Sequence, residues 1–205
     1  LIMKPPQDPP AADTVLIEST YGNRVHPHED AMAELAPALQ RAAARSGVVV
    51  IPVFAVGRAQ AILHAIATLK ARGEVPHHLP VFLDSPMAVH TTDLFRHHPD
   101  GHRLDSTQLQ AMQKVAVMVE SVQDSKALAK RHGPKVILSA SGMATGGRVL
   151  HHLSLYLPDH RNMVILTGYQ APGTRGASLA SGQASVRIHG RDVDVKAEVV
   201  CMSSA

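Results

Sequence analysis

Val48-Val-Val-Ile-Pro-Val-Phe54 decides how the chain folds. The run is almost continuously apolar and rich in β-branched residues, where a strand with one wet face would alternate apolar with polar. A strand of this kind is covered on both sides, which in practice means a parallel sheet between layers of helix. Its flanks agree. Upstream, Glu29 to Arg45 places Met32, Leu35, Leu39 and Ala42 on one side at helical spacing, with Gly47 as the stop. Downstream, Gly57 to Arg72 carries Ile62, Leu63, Ile66 and Leu69 on a helical stripe.

The unit recurs along the chain. Strands are expected at Pro80–Leu83, Val115–Val119, Lys135–Leu138 and Met163–Leu166. Helices are expected at Ala88–His97, Leu104–Lys114, Val122–His132 and Gly146–Leu157. Strands alternating with helices of about ten residues predict a Rossmann-like α/β fold with a mostly parallel sheet and right-handed crossovers. The rhythm changes at the end. Ser185–His189, Asp192–Val195 and Glu198–Met202 are short strand-like runs that suggest a small antiparallel or mixed edge. Leu1 to Ala12, with Pro5, Pro6, Pro9 and Pro10, excludes regular helix or central strand and reads as a strap.

In a parallel sheet the loops that leave the strands gather on one edge, where open α/β sheets collect ligands. Phe54-Ala-Val-Gly57-Arg58, Asp84-Ser85-Pro86, Ser139-Ala-Ser141-Gly142-Met143 and Thr167-Gly168-Tyr169-Gln170 are such loops. Glycine lets backbone approach a ligand, hydroxyls hydrogen-bond it, and free N–H groups at helix starts favour an anion, so a phosphate-bearing ligand fits. Taken singly, each loop also reads as an ordinary turn or helix start. Neither a phosphate-loop lysine pattern nor GxGxxG is present, which leaves nucleoside triphosphatases and dinucleotide-dependent dehydrogenases without a motif. Val15-Leu-Ile17 reads as a further short strand with Glu18 at its carboxyl end, where it faces the crevice, although on chemistry alone such a residue more often caps a helix or pairs with a cation.

Composition narrows the class. The chain has 205 residues, 45% of them hydrophobic, enough to bury a core as one domain. Cys201 is alone and cannot form an internal disulfide. No run approaches the roughly 18 apolar residues of a membrane span, and the start lacks a signal-peptide pattern, so a cytoplasmic protein is expected. The net charge of +3 suits a polyanionic partner without requiring one. Fourteen histidines fall as scattered pairs (His77-His78, His97-His98, His151-His152) and one His26-Pro-His28, without the spacing of a closed zinc site, so no metal ligands are assigned. An aromatic fraction of 3% argues against a platform that stacks many bases.

Glu18-Ser-Thr-Tyr-Gly22 resembles the first motif of the β-CASP branch of metallo-β-lactamase-fold ribonucleases. The resemblance continues in that family's order through Gly57-Arg58-Ala-Gln60, Asp84-Ser-Pro-Met-Ala88, Ser139-Ala-Ser-Gly-Met143 with Gly146-Gly-Arg148, and Thr167-Gly-Tyr-Gln170 with Gly173-Thr174. Relatives commonly carry Glu and Arg where this chain has Ala61 and Ala177. The resemblance implies an RNA-binding cap over a catalytic domain that hydrolyses RNA phosphodiesters. It further implies two zinc ions in the full-length enzyme, held through an HxHxDH motif and other ligands that this sequence lacks, and none in this chain. On that basis residues 1–20 are a strap and strand from the end of the metallo-β-lactamase domain, 21–184 the β-CASP domain, and 185–205 strands that return to it. RNA and that domain are the expected partners. Glu18 would orient a catalytic histidine, and Arg58, Ser141, Arg148, Tyr169, Gln170 and Thr174 would contact phosphates or sugars. The alternative from another class is a noncatalytic phosphate- or nucleotide-binding, or protein-interaction, α/β module.

Overall fold

A computed structural model describes residues 2–23 and 31–202. In chain order the elements are α1 (Ala31–Ala44), β1 (Val48–Pro52), α2 (Arg58–Ala71), β2 (Val81–Asp84), α3 (Pro86–His97), α4 (Ser106–Lys114), β3 (Val117–Val119), α5 (Val122–Lys130), β4 (Lys135–Ser139), α6 (Arg148–Tyr156), β5 (Met163–Leu166), α7 (Arg175–Ala180), β6 (Ser185–Ile188), β7 (Arg191–Asp194) and β8 (Glu198–Cys201). A six-stranded sheet has the order β3-β2-β4-β1-β5-β8, and every adjacent pair in it is parallel. The expected α/β class is therefore the observed one.

The central strands β1, β4 and β5 are buried at every position, as their continuous apolar runs require. Alternate residues feed two cores. Val49, Ile51, Val136, Leu138 and Ile165 join Leu35 and Leu39 of α1 and Leu63 and Ile66 of α2. Val50, Ile137, Val164 and Leu166 point the other way, onto Val149 and Leu153 of α6 and Leu179 of α7. Apolar surface leaves water on both faces, at about 25 cal/mol per Å².

Chain direction follows from this layering. From β1 the chain crosses β4 to reach β2, whereas from β4 it crosses β1 to reach β5. Crossovers of one hand in opposite directions put α2 and α6 on opposite faces of the sheet. The loops after β1 and β4 thus part at the carboxyl ends of two adjacent strands, the switch point at which such sheets form a crevice.

The three tail runs pair in a mixed way, as expected, while another expectation is corrected. β6 and β7 make an antiparallel hairpin, turned through His189 (φ 48°) and Gly190 (φ 77°), while β8 extends the main sheet parallel to β5. No strand forms over Val15–Ile17. These residues are 75%, 97% and 84% exposed, because among the described residues no strand pairs with their backbone and no helix covers their side chains. α7 had no counterpart in the sequence reading. At six residues it is too short to show a periodic stripe. The strap begins by pairing: Met3 bridges His102, and Arg103 N donates to the carbonyl of Ile2 at 2.8 Å.

Candidate functional site

The loops at the carboxyl edge are stitched to one another. Val53 N donates to Ser139 O at 3.0 Å, which carries the β1–β4 pairing one residue past β1. The Phe54 ring then lies over Gly142 so closely that a Cβ there would stand 2.8 Å from Cδ2, hence the glycine. Gln170 Nε2 donates to the carbonyls of Gly142 and Gly168, both at 3.1 Å, joining the β4 and β5 loops. Tyr169 N donates to the Tyr21 hydroxyl at 2.8 Å, and the two rings meet edge to face at 6.2 Å and 81°. That contact fastens the turn closed by Gly22 N on Ser19 O, 2.9 Å, and so brings the Glu18 segment to this edge.

Arg58 opens α2 beside this junction. A Cβ on Gly168 would stand 3.8 Å from the Tyr21 hydroxyl and 4.0 Å from Arg58 Nη2. The guanidinium is partly buried. Burial disfavours its charge and lowers its pKa, an effect that Tyr21 opposes. Among the described residues it makes no ion pair and no side-chain hydrogen bond. Among the described residues no carboxylate offsets the cost of holding this cation partly out of water.

Glu18 is fully exposed. Its carboxylate accepts from the side chain and the N–H of Thr20, which lower its pKa. The structure therefore shows it as neither a helix cap nor one half of a buried ion pair. Ser141 is half-buried and shares a 2.9 Å hydrogen bond with the Thr145 hydroxyl.

The other candidate residues make hydrogen bonds inside the chain, although Gln170 Oε1 is buried without a partner among the described residues. Arg148 Nη1 donates to Asp84 Oδ1 at 2.8 Å and to Val119 O at 3.2 Å, and Nη2 to Glu120 O at 2.6 Å. Thr174 caps α7, accepting from Ala177 N at 3.2 Å while its hydroxyl donates to Ala171 O at 2.6 Å. Gln170 and the Tyr169 N–H serve the loop junctions described above.

In sequence Asp84 stands out only as part of a loop and motif, with no role of its own. It is fully buried at the end of β2 and accepts from Ser125 Oγ at 2.5 Å, His152 Nε2 at 2.6 Å and Arg148 at 2.8 Å. Its own carbonyl accepts from Ser139 Oγ at 2.9 Å. Burial opposes ionisation of this carboxyl, but the hydrogen bonds from His152, Ser125 and Arg148 outweigh it and hold the pKa below the ordinary value. Asp84 thus ties α5 and α6 to β2 through its carboxylate and β4 to β2 through its carbonyl, and fixes the helix that follows the Ser141–Gly147 loop. The available signal was a charged residue closing the apolar run Val81–Leu83.

Among the described residues no group of three or more His, Cys, Asp or Glu side chains could hold a metal ion. His26 and His28 lie outside the described residues. His102 and His152 are buried and hydrogen-bonded, while the remaining described pairs face solvent. Among the described residues no helix is long and apolar enough to cross a membrane.

The model of the Beta-Casp domain family matches residues 59–179. Ribonuclease TTHA0252 of Thermus thermophilus is 38% identical over 208 residues, covering 97% of this chain and 47% of that protein. Transcription termination factor FttA of Methanosarcina mazei is 31% identical over 89% of this chain and 30% of its own length. An RNase J-like protein of Methanocaldococcus jannaschii is 31% identical over 92% of this chain and 44% of its own. The chain therefore spans less than half the length of these relatives.

Proposed function

Because the chain belongs to the Beta-Casp domain family, we propose that it is the RNA-binding cap of a cytoplasmic, zinc-dependent ribonuclease. Its carboxyl edge would close over a metallo-β-lactamase domain and hold RNA between the two. Residues 1–20 and 185–205 would be the connections to that domain, the second also supplying β6, β7 and β8 here. The cap has no converging set of metal ligands among its described residues, so in this reading the neighbouring domain holds both zinc ions and carries out hydrolysis, and RNA phosphodiesters are the bonds cut.

Arg58 carries the reading. Its partly buried guanidinium has no anionic partner among the described residues and stands at the switch point, where an RNA phosphate would meet it. Ser141 would add a hydroxyl donor, and Glu18 would orient a histidine of the neighbouring domain. Arg148, Tyr169, Gln170 and Thr174 would hold the loops that present these groups.

The test is RNA affinity of the full-length protein as salt is varied. Arg58→Ala should weaken binding about tenfold and flatten the salt slope by roughly 0.7, the value for one lost contact to a single strand. Unchanged affinity and slope would remove Arg58 from the cleft.

A further inference from the structure

A second cavity lies on the opposite edge of the sheet, at the amino ends of β1, β4 and β5. It measures about 530 Å³ and includes Val48, Lys135 and Asn162 in its wall. That volume is in the range of small-ligand pockets, roughly 300 to 1,000 Å³. Four cationic side chains line it, Lys130, Arg131, Lys135 and Arg161, against the single carboxylate of Asp159. That carboxylate is already taken, since Arg161 holds it through Nε and Nη2 at 3.1 and 2.6 Å.

Lys135 is only 1% exposed, and its ammonium donates to the carbonyls of Arg131 and Gly133 just past α5. The ammonium thus stands at the C-terminal end of α5, where it offsets part of the negative pole that would repel an anion. Lys130 and Arg131 are left on the rim. Among the described residues neither has an ion pair, and Arg131 has only the face of Phe82, 5.4 Å from its guanidinium carbon. Burial lowers the pKa of Lys135, and the charge of Arg131 lowers it further. Among the described residues only Arg161 of the four has an acid beside it, so the charges of Lys130, Arg131 and Lys135 repel one another in a concavity that focuses their field.

We propose that this amino-edge cavity is a phosphate-binding site separate from the cleft, taking either a phosphodiester of an RNA strand that extends beyond the cleft or the phosphate of a free nucleotide. Arg131 and Lys130 would supply the contacts, and Lys135 would keep the floor positive.

The full-length protein and its Lys130→Ala/Arg131→Ala variant would be titrated with a short RNA that fits the cleft, a long RNA, and uridine monophosphate. Both positions are exposed, so folding should persist, and a melting curve checks it. If the source is RNA, the variant loses about tenfold in affinity for the long strand and about one unit of salt slope, with the short strand unaffected. If the source is a free nucleotide, only uridine monophosphate binding falls. The Lys130→Glu/Arg131→Glu variant should deepen whichever loss is seen. Equal binding of all three probes by wild type and both variants overturns the site, as does no binding of any probe. The cleft is judged separately, by short-RNA binding in Arg58→Ala.

Discussion

Arg148 and Asp84 form an ion pair inside the fold, Nη1 to Oδ1 at 2.8 Å, with the carboxylate wholly removed from water. Removing one partner of a buried pair costs about 3 to 5 kcal/mol, and here it would leave the buried Asp84 carboxylate with Ser125 and His152 but no guanidinium. In a chain of this size each kcal/mol is worth roughly 2 to 4 °C, so Arg148→Ala should lower the melting temperature by about 10 °C. Calorimetry on the purified chain checks this. An unchanged melting temperature combined with a tenfold loss of RNA affinity would return Arg148 to the phosphate-contacting role its motif suggests.

Asp84 also sets a pH dependence. Its folded pKa lies below the unfolded value of about 3.9. The stability it contributes is therefore complete above about pH 4 and disappears as the pH falls through the lower folded value. Urea midpoints measured from about pH 6 down to pH 3 should decline more steeply for wild type than for Asp84→Asn, which has no charge to lose. Parallel curves would mean that other carboxylates govern the acid limb.

Glu18 offers a cleaner separation of roles. An exposed carboxylate that bonds only to Thr20 among the described residues has little stability at stake. In the full-length protein, Glu18→Gln should lower the rate of RNA cleavage about 10- to 1,000-fold through loss of a charge-assisted hydrogen bond, while melting temperature and RNA affinity stay put. A normal rate would sink the catalytic assignment.

Residues 1–205 prepared alone should retain no stoichiometric zinc after dialysis against a weak chelator and should not cleave RNA, since their described side chains bring no three metal-binding groups together. Metal analysis and a cleavage assay on the same sample decide it. Bound zinc together with cleavage would refute the division of labour between cap and catalytic domain.

The layers of this fold were legible because period and length dictate them. Val48–Pro52, Lys135–Ser139 and Met163–Leu166 are apolar runs with nowhere to go but between helices. Val15–Ile17 has the same local character yet forms no strand, since a strand needs a neighbour and sequence does not say whether one is there. The site was legible only as a set of loops. Arg58 and Arg148 both follow a glycine and both open a helix, and nothing local distinguishes them. What separates them is Asp84, 64 residues before Arg148 in sequence and 2.8 Å away in space. Ser125 and His152 join the same carboxylate from 41 and 68 residues off.

The bare Val15–Ile17 run has a practical side. Three successive exposed apolar residues whose backbone pairs with no strand among the described residues are a ready template for a second molecule's strand. A concentrated solution of this chain by itself will tend to oligomerise and precipitate through that segment, the more so as salt screens its modest net charge. Changing Leu16, the most exposed of the three at 97%, to lysine would keep such a preparation monodisperse without touching either core.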